Sequence, residues 1–265
     1  MCIRDRGWMK RFKGKSGLVS GVLLAFFLLH VPDALADELR IAVASNFLLP
    51  LKELSREFNE STGHKVVVIS GSTGKLYAQI KQGAPFDILL AADSLRPKLL
   101  EKAGIGVPGS RFTYAVGRLA LWTANSTLPL KNDLQILTHK NFRYLAIANP
   151  KTAPYGKAAE QVLRKKGFWE QIQNRLVRGE NISQTFQFVM TGNAEIGFIA
   201  LSQLRKNLGR GFSWIIPQEW HDPIRQQGIL LKRAKTNKAA WKFLNFIKSN
   251  QIQKKIESYG YSHKL

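Results

Sequence analysis

Short apolar runs alternate along the chain with segments of helical periodicity. The runs are rich in β-branched and aromatic residues, as is typical of buried strands, and they lie at 39–43, 66–69, 86–90, 114–122, 144–148, 196–201, 212–216 and 228–231. Between them, apolar residues recur three or four positions apart, and three such helical faces comprise Leu48, Leu51, Leu54 and Phe58, then Leu76, Ile80 and Ala84, and then Ala159, Val162 and Leu163. This alternation predicts an α/β fold with mostly parallel sheets.

Two of the extended regions are long enough to cross between lobes. The first spans 112–123 without a helical break, and the second spans 212–231, about a hundred residues later. We therefore expect two α/β lobes joined by crossing strands, with lobe 1 formed by 37–116 and 229–265 and lobe 2 by 117–228. Ligands of α/β sheets bind beyond the carboxyl ends of the strands, so the cleft between the lobes is the expected binding site.

Residues 1–36 have the features of a cleavable export signal. A basic stretch at 10–15 precedes an apolar run at 17–31, and the small residues Ala34 and Ala36 occupy the cleavage-determining positions. A membrane anchor is the alternative, but the apolar run is short for one and a cleavage motif follows it. Met9 opens an ordinary signal, so we leave residues 1–8 out of fold reasoning as a candidate misread start. We expect an exported protein whose mature chain begins at Asp37.

Composition narrows the chemistry of the mature chain. The only cysteine, Cys2, precedes the apolar run, so neither a disulfide nor a thiolate metal site is available after cleavage. The five histidines are isolated, which predicts no metal site and no cofactor. The formal net charge is +22, but export disfavours nucleic acid as a partner and the basic residues are scattered. We interpret most of them as solvated surface on a monomer.

Two polar runs follow predicted strands at the points where helices are expected to begin. Ala44-Ser45-Asn46 follows 39–43, and Ser70-Gly71-Ser72-Thr73-Gly74-Lys75 follows 66–69. Hydroxyl groups and free N–H groups at helix starts can together hold negative charge without a cationic side chain. This pairing predicts an anion site.

The residues around these turns carry a family resemblance. The chain resembles the periplasmic molybdate-binding proteins of ABC transporters from about Glu38 to near Tyr261, in the order of the family's motifs. The matching segments are Val43-Ala44-Ser45-Asn46, Gly71-Ser72-Thr73-Gly74-Lys75-Leu76-Tyr77-Ala78-Gln79-Ile80, Gly83-Ala84-Pro85-Phe86-Asp87, Ala91-Ala92-Asp93, Ala148-Asn149-Pro150, Ala153-Pro154-Tyr155-Gly156 and 192–203.

The resemblance implies a type II periplasmic binding protein fold that closes over a tetrahedral oxyanion. It implies a solute-binding protein, not an enzyme, which captures molybdate, and tungstate too, and delivers it to an ABC permease. The implied ligand-binding residues are Ser45, Asn46, Ser72, Thr73, Tyr155 and Ile182, the last two chiefly through backbone N–H. Some members place a tyrosine hydroxyl where this chain has Ala200, a difference for which Asn46 or the Tyr155 phenol is a candidate replacement.

Other interpretations remain open for the same residues. Ser45 and Ser72 are also typical helix N-caps. Ser72-Thr73-Gly74-Lys75 fits the Ser-x-x-Lys pattern of penicillin-recognising acyl-transfer enzymes, but the downstream Lys-Thr-Gly has only the partial match Lys151-Thr152-Ala153. Sulfate, a proton-free dianion like molybdate, is the nearest alternative ligand.

Overall fold

The computed structural model describes residues 38–128, 130, 133–138, 142–205 and 210–262, so the predicted export signal at 1–36 lies outside the described residues. The described elements fall within one compact unit, Ala36–Leu265.

The first lobe begins with β1 (Leu39–Ala44), α1 (Leu48–Thr62), β2 (Val66–Gly71), α2 (Thr73–Lys81), β3 (Ile88–Ala91), α3 (Leu95–Lys102) and β4 (Phe112–Gly117). The second lobe contains β5 (Leu119–Thr123), β6 (Leu145–Ala148), α4 (Pro154–Lys165), α5 (Trp169–Ile172), β7 (Leu176–Gly179), α6 (Ile182–Met190), β8 (Ile196–Ala200), α7 (Leu201–Leu204) and β9 (Phe212–Ile215). The chain then returns to the first lobe with β10 (Ile224–Leu230), α8 (Lys238–Lys248) and α9 (Asn250–Ser258). Short 3-10 helices lie at Ser45–Phe47, Gln135–Thr138, Gln173–Arg175, Gln218–Trp220 and Lys232–Ala234.

The described strands form two five-stranded sheets, ordered β2-β1-β3-β10-β4 and β7-β6-β8-β5-β9. Only Arg118 separates β4 from β5, so the chain passes directly from one sheet to the other. The return crossing ends in β10, which pairs with β3 and β4 along its length. The predicted boundary between the lobes, at 228/229, falls inside β10. Because all of β10 belongs to the first sheet, the boundary lies before Ile224. The hydrophobic pattern did not indicate the beginning of β10, because residues 225–227 are polar.

The sheets are mixed, so the prediction of mostly parallel sheets was wrong. In the first sheet β1 runs parallel to β2 and β3, whereas β10 runs antiparallel to β3 and β4. The second sheet likewise has two parallel pairs, formed by β6, and two antiparallel pairs, formed by β5. The antiparallel pairs all involve a strand at one of the two crossings, where the chain enters a sheet without a preceding βαβ unit.

Helices cover both faces of each sheet. Because successive strand residues point in opposite directions, one strand contributes side chains to the cores on both faces. In β3, Ile88 and Leu90 join a core with α1, α8 and α9, whereas Leu89 joins a separate core with α2 and α3. In the second lobe, Trp122 of β5 stacks on Phe186 of α6 with ring centroids 4.8 Å apart. Among the described residues, we find no helix with the length and apolar character needed to cross a bilayer.

We expect Gly156→Ala to lower the free energy of unfolding by about 1–3 kcal/mol, the usual cost of overpacking. Gly156 lies in the first turn of α4, and an added Cβ would lie 2.6 Å from the carbonyl carbon of Ala148 and closer still to its oxygen. Backbone atoms at the end of β6 cannot rotate away. Urea denaturation followed by circular dichroism measures the change.

Gly71→Ala is the matched control, because its added Cβ would first meet the flexible side chain of Leu76, at 3.3 Å. Its effect should be less than about 1 kcal/mol. Equal losses of stability in the two variants would contradict this account of Gly156.

Candidate functional site

The structure brings all six predicted site residues to one small cavity between the lobes. The cavity has a volume of about 10 Å³, and its lining includes Ser45, Asn46, Ser72, Thr73, Tyr155 and Ile182. No carboxylate and no cationic side chain is part of that lining. The site is therefore built from hydroxyl groups, backbone and neutral side chains.

The register of two parallel strands aligns the first lobe's contribution. Ala44, at the end of β1, pairs with Gly71, at the end of β2. Ser45 follows the first strand and opens a 3-10 helix, while Ser72 follows the second and precedes α2. Because the pair ends at the same edge, both serines lie beside the same cavity.

Ser72 does not cap its helix. It occupies the N-cap position of α2 with an extended backbone, yet its side chain makes no cap hydrogen bond. Its Oγ is buried and has no hydrogen-bond partner among the described residues. An orphaned buried hydroxyl is costly, so one that lines a cavity is suited to hydrogen bonding with a ligand.

Thr73 is placed differently, although it is the next residue. Its Oγ1 accepts a hydrogen bond from the backbone N–H of Ala92 at 3.0 Å, and the residue is fully buried. The hydroxyl therefore ties the start of α2 to the end of β3. Of the two alternatives left open by the sequence, Ser72 has the unpartnered oxygen.

Asn46 uses its side chain behind the cavity. Its amide nitrogen donates to Oε1 of Gln226 at 2.8 Å and to Oη of Tyr261 at 3.0 Å, which occupies both amide hydrogens. Its backbone carbonyl oxygen accepts hydrogen bonds from the hydroxyl groups of Tyr261 and Ser202. The group of Asn46 left to face a ligand is its backbone N–H in the first turn of the 3-10 helix.

Two helix starts form the second lobe's side of the cavity. Ala148 of β6 pairs with Gly179 of β7, so the loops that follow these strands are neighbours. α4 begins with Pro154, which has no N–H, and Tyr155 is the first residue of this helix with a free N–H to offer. The two helices thus direct their N-terminal ends at the same space.

The start of α6 leaves one amide for a ligand. The side chain of Asn181 caps the helix by accepting from the N–H groups of Ser183 and Gln184, which leaves the N–H of Ile182 at the first helical position. Nε2 of Gln203 donates to the carbonyl of Ile182 at 3.2 Å and fixes the orientation of this peptide. Ile182 therefore contributes through its backbone.

The phenol of Tyr155 is held away from solvent as a neutral group. Its Oη accepts from Nε2 of Gln226 at 3.2 Å and lies against Gly117, at the end of β4. Burial and, to a smaller extent, the neighbouring phenol of Tyr261 raise the pKa of Tyr155 well above its ordinary value. Burial raises the pKa of Tyr114 and of Tyr261 in the same way. The cluster behind the cavity stays uncharged at physiological pH.

Ala200, where the family resemblance suggested a missing donor, is fully buried at the end of β8 and is not part of the cavity lining. Its backbone N–H donates to Oε1 of Gln203 at 3.0 Å. The side chain of Asn46, offered as a replacement donor, has its hydrogens engaged elsewhere. Ala200 therefore adds no hydrogen-bond donor to the cavity, and the donors are those of the residues already named.

Several hydrogen bonds join the lobes around the cavity. The N–H of Gly74 donates to the carbonyl of Thr152 at 2.9 Å, and Oγ of Ser183 donates to the carbonyl of Ser45 at 3.1 Å. Lys75 of α2 forms an ion pair with Glu180 of the second lobe. These three contacts join the two lobes beside the cavity.

The contacts of Ser72 and Lys75 also bear on the acyl-transfer interpretation. A Ser-x-x-Lys nucleophile needs a base within hydrogen-bond reach of its serine. Here Lys75 pairs with Glu180, and Oγ of Ser72 has no partner among the described residues. The described part of the chain also contains no group of three or more histidine, cysteine, aspartate or glutamate residues that could hold a metal ion.

Comparisons with known proteins agree with this geometry. Residues 39–262 match the family model for bacterial extracellular solute-binding proteins. The chain is 47% identical over 230 residues to the molybdate-binding protein ModA of Azotobacter vinelandii, covering 86% of this chain and 91% of that one. The chain belongs to the ModA family of bacterial extracellular solute-binding proteins. It is 44% identical to ModA of Rhodobacter capsulatus, covering 86% of this chain and 89% of the relative.

A solved structure supports the same assignment. The periplasmic molybdate-binding protein of Azotobacter vinelandii superposes with a TM-score of 0.82 and 36% sequence identity, covering 86% of this chain and all of that one. The type II periplasmic binding protein fold predicted from the sequence is confirmed. The relatives are binding proteins, which supports the prediction of a binding protein and not an enzyme.

The sequence reasoning missed the residues behind the cavity, namely Ser202, Gln203, Gln226 and Tyr261. Gln226 is fully buried but lies in the polar stretch at 225–227, which resembles exposed chain. Tyr261 is 215 positions from Asn46. No local pattern in the sequence marks either residue as part of a site.

The two neighbouring hydroxyls should respond differently to removal in the ligand-free protein. Thr73→Ala should lower the free energy of unfolding by about 1–3 kcal/mol, because the buried N–H of Ala92 loses its acceptor. Ser72→Ala removes an oxygen without a partner and should leave stability unchanged or slightly higher. Urea denaturation of both variants measures the difference, and an equal loss in both would instead indicate that Ser72 has a capping role.

Proposed function

We propose that the protein captures molybdate, and tungstate, in the inter-lobe cavity and delivers it to an ABC permease. The observation that carries the proposal is the cavity between the lobes, whose lining has no carboxylate and includes Ser72, a residue whose buried hydroxyl has no hydrogen-bond partner among those the structure describes. The 47% identity to a molybdate-binding protein supports the choice of anion.

The chemistry of the cavity suits a fully ionised oxyanion. Molybdate carries no proton near neutral pH, so its oxygens accept hydrogen bonds and donate none. We infer that hydroxyls of Ser45 and Ser72 and backbone N–H groups of Asn46, Tyr155 and Ile182 donate to it. Each such bond to a charged group contributes roughly 1.5–3 kcal/mol, and the helix N-termini add a favourable field. Thr73 supports the site by holding α2 against β3.

The same chemistry disfavours phosphate. Hydrogen phosphate keeps a proton near neutral pH and binds best where one buried acceptor receives that proton. The lining of the cavity contains no carboxylate to do so. Sulfate has the same charge and acceptor character as molybdate, so it is the alternative that an experiment must separate.

The location and partners follow from the proposed transport role. We infer that the signal is cleaved after Ala36 and that the mature chain works in the periplasm as a monomer. A permease that receives the anion is the implied partner. The positive charge acts as a solvated surface and needs no nucleic acid to explain it.

A thermal-shift panel on residues 37–265 tests the choice of ligand, with molybdate, tungstate, sulfate, phosphate and chromate as the anions. At a concentration a thousandfold above its dissociation constant, the true ligand stabilises the fold by about 4 kcal/mol. We expect large shifts with molybdate and tungstate. A clear shift with sulfate and none with either metal oxyanion would overturn the proposal.

Ser72→Ala should weaken molybdate binding by about 10- to 100-fold, which corresponds to the loss of one hydrogen bond to a charged ligand. Isothermal titration calorimetry measures the affinity. Ser61→Ala is the matched control, because the Ser61 hydroxyl bonds to the carbonyl of Glu57 on the exposed side of α1. An unchanged affinity in Ser72→Ala would exclude this hydroxyl from the ligand shell.

A further inference from the structure

We propose that Gln226 is a positioning residue that couples closure of the two lobes to the anion site. The inference rests on the proposed oxyanion-binding function, and it assigns a role to a residue outside the cavity lining. Gln226 is fully buried in β10, the strand through which the chain returns from the second lobe.

An irregularity in the sheet brings Gln226 to its partners. Along the antiparallel pair of β10 and β4, Gln226 lies opposite Ala115, but Gln227 lies opposite Thr113, so the register skips Tyr114. Bulges of this kind often occur beside functional sites, where they redirect a side chain. Here Tyr114 donates from its Oη to Oε1 of Gln226 at 2.9 Å.

The amide of Gln226 contacts both halves of the proposed binding site. Oε1 accepts from Nδ2 of Asn46, in the first lobe, at 2.8 Å, while Nε2 donates to Oη of Tyr155, in the second lobe, at 3.2 Å. With the bond from Tyr114, both lone pairs of Oε1 are occupied. One planar group thus joins two cavity residues and both crossing strands.

The bond to Tyr155 depends on the closed arrangement. Gln226 is fixed in the first sheet by its pairing with β4, whereas Tyr155 is in the first turn of α4, a helix of the second lobe. A motion that parts the lobes therefore separates Nε2 of Gln226 from Oη of Tyr155. The bond to Asn46 lies within the first lobe, so it persists in either arrangement and keeps the acceptor oriented.

Because the cluster is uncharged, it does not repel an anion in the neighbouring cavity.

Removing a partner from a buried polar group in this cluster leaves that group with the full cost of its desolvation. When Gln226 is replaced by an apolar residue, Asn46 loses an acceptor and Tyr155 loses a donor, whereas Tyr114 keeps the carbonyl of Ala91 as an acceptor at 3.1 Å. The loss at Asn46 affects either arrangement, because Asn46 and Gln226 both belong to the first lobe. The loss at Tyr155 falls on the closed arrangement, the one proposed to hold the anion.

The test compares Gln226→Met with Gln227→Met. Methionine is close to glutamine in length but lacks the amide, and both positions lie on the same strand. The amide of Gln227 bonds to Arg111 and Thr113, away from the cavity, which makes it a matched control. Stopped-flow tryptophan fluorescence with molybdate gives both rate constants, and ligand-free melting temperatures report stability.

We expect Gln226→Met to raise the molybdate dissociation rate by about three- to tenfold, the equivalent of one net hydrogen bond, with an association rate within about threefold of the unmodified chain. Gln227→Met should change both rates by less than about threefold. Small-angle scattering should also show a smaller compaction of Gln226→Met in excess molybdate. A purely structural role would lower the melting temperature without altering the dissociation rate, and that result would overturn the inference.

Tyr155→Phe provides a second variant if Gln226→Met does not fold. It removes the phenol bonded to Nε2 of Gln226 but keeps the backbone N–H proposed to face the anion. It should raise the dissociation rate by about three- to tenfold, and the double variant, where it folds, should be no worse than Gln226→Met alone. Unchanged dissociation in Tyr155→Phe contradicts the coupling. Failure of the unmodified chain to bind molybdate contradicts the proposed function instead, so the two failures are distinguishable.

Discussion

The parallel register of β1 with β2, and of β6 with β7, is the constraint on which the rest of the structure depends. Ala44 ends level with Gly71, and Ala148 ends level with Gly179. Each level pair brings two chain turns, and the free N–H groups of the helices that follow, to one edge of its sheet. When the two edges face each other, a cavity lined with donors results without any charged side chain.

A neutral polar cluster stands behind that cavity and gives it rigidity. Asn46, Tyr114, Tyr155, Gln226 and Tyr261 are linked by hydrogen bonds and lie almost wholly out of solvent. Burial keeps the phenols protonated, so the cluster adds no negative charge beside a bound anion. Its members come from both lobes and from both crossing strands, so the cluster joins the crossings to residues that line the cavity.

The parts of the fold with strong local signals were predictable. Apolar periodicity located β1, β2 and the buried face of α1, where Leu51, Leu54 and Phe58 are buried. Short or polar strands were not found this way. β7 has only four residues, two of them half-buried and one exposed. β10 begins with Ile224 followed by the polar residues at 225–227, and its neighbours in the sheet, not its own composition, hold it there. The antiparallel pairing was missed for a related reason, since strand direction depends on where the chain crosses between lobes.

The sequence by itself determined the two polar turns and the family, because these depend on residue identity and order. The tertiary structure decided how the six candidate residues divide their work. Ser72 and Thr73 are adjacent and chemically alike, yet the hydroxyl of Thr73 accepts from Ala92 and that of Ser72 has no partner within the described part of the chain. The side chain of Asn46 turns away from the cavity because Gln226 and Tyr261, distant in sequence, supply better-placed partners. Hydrogen-bond partners are set by proximity in space, and that information exists only once the chain has folded.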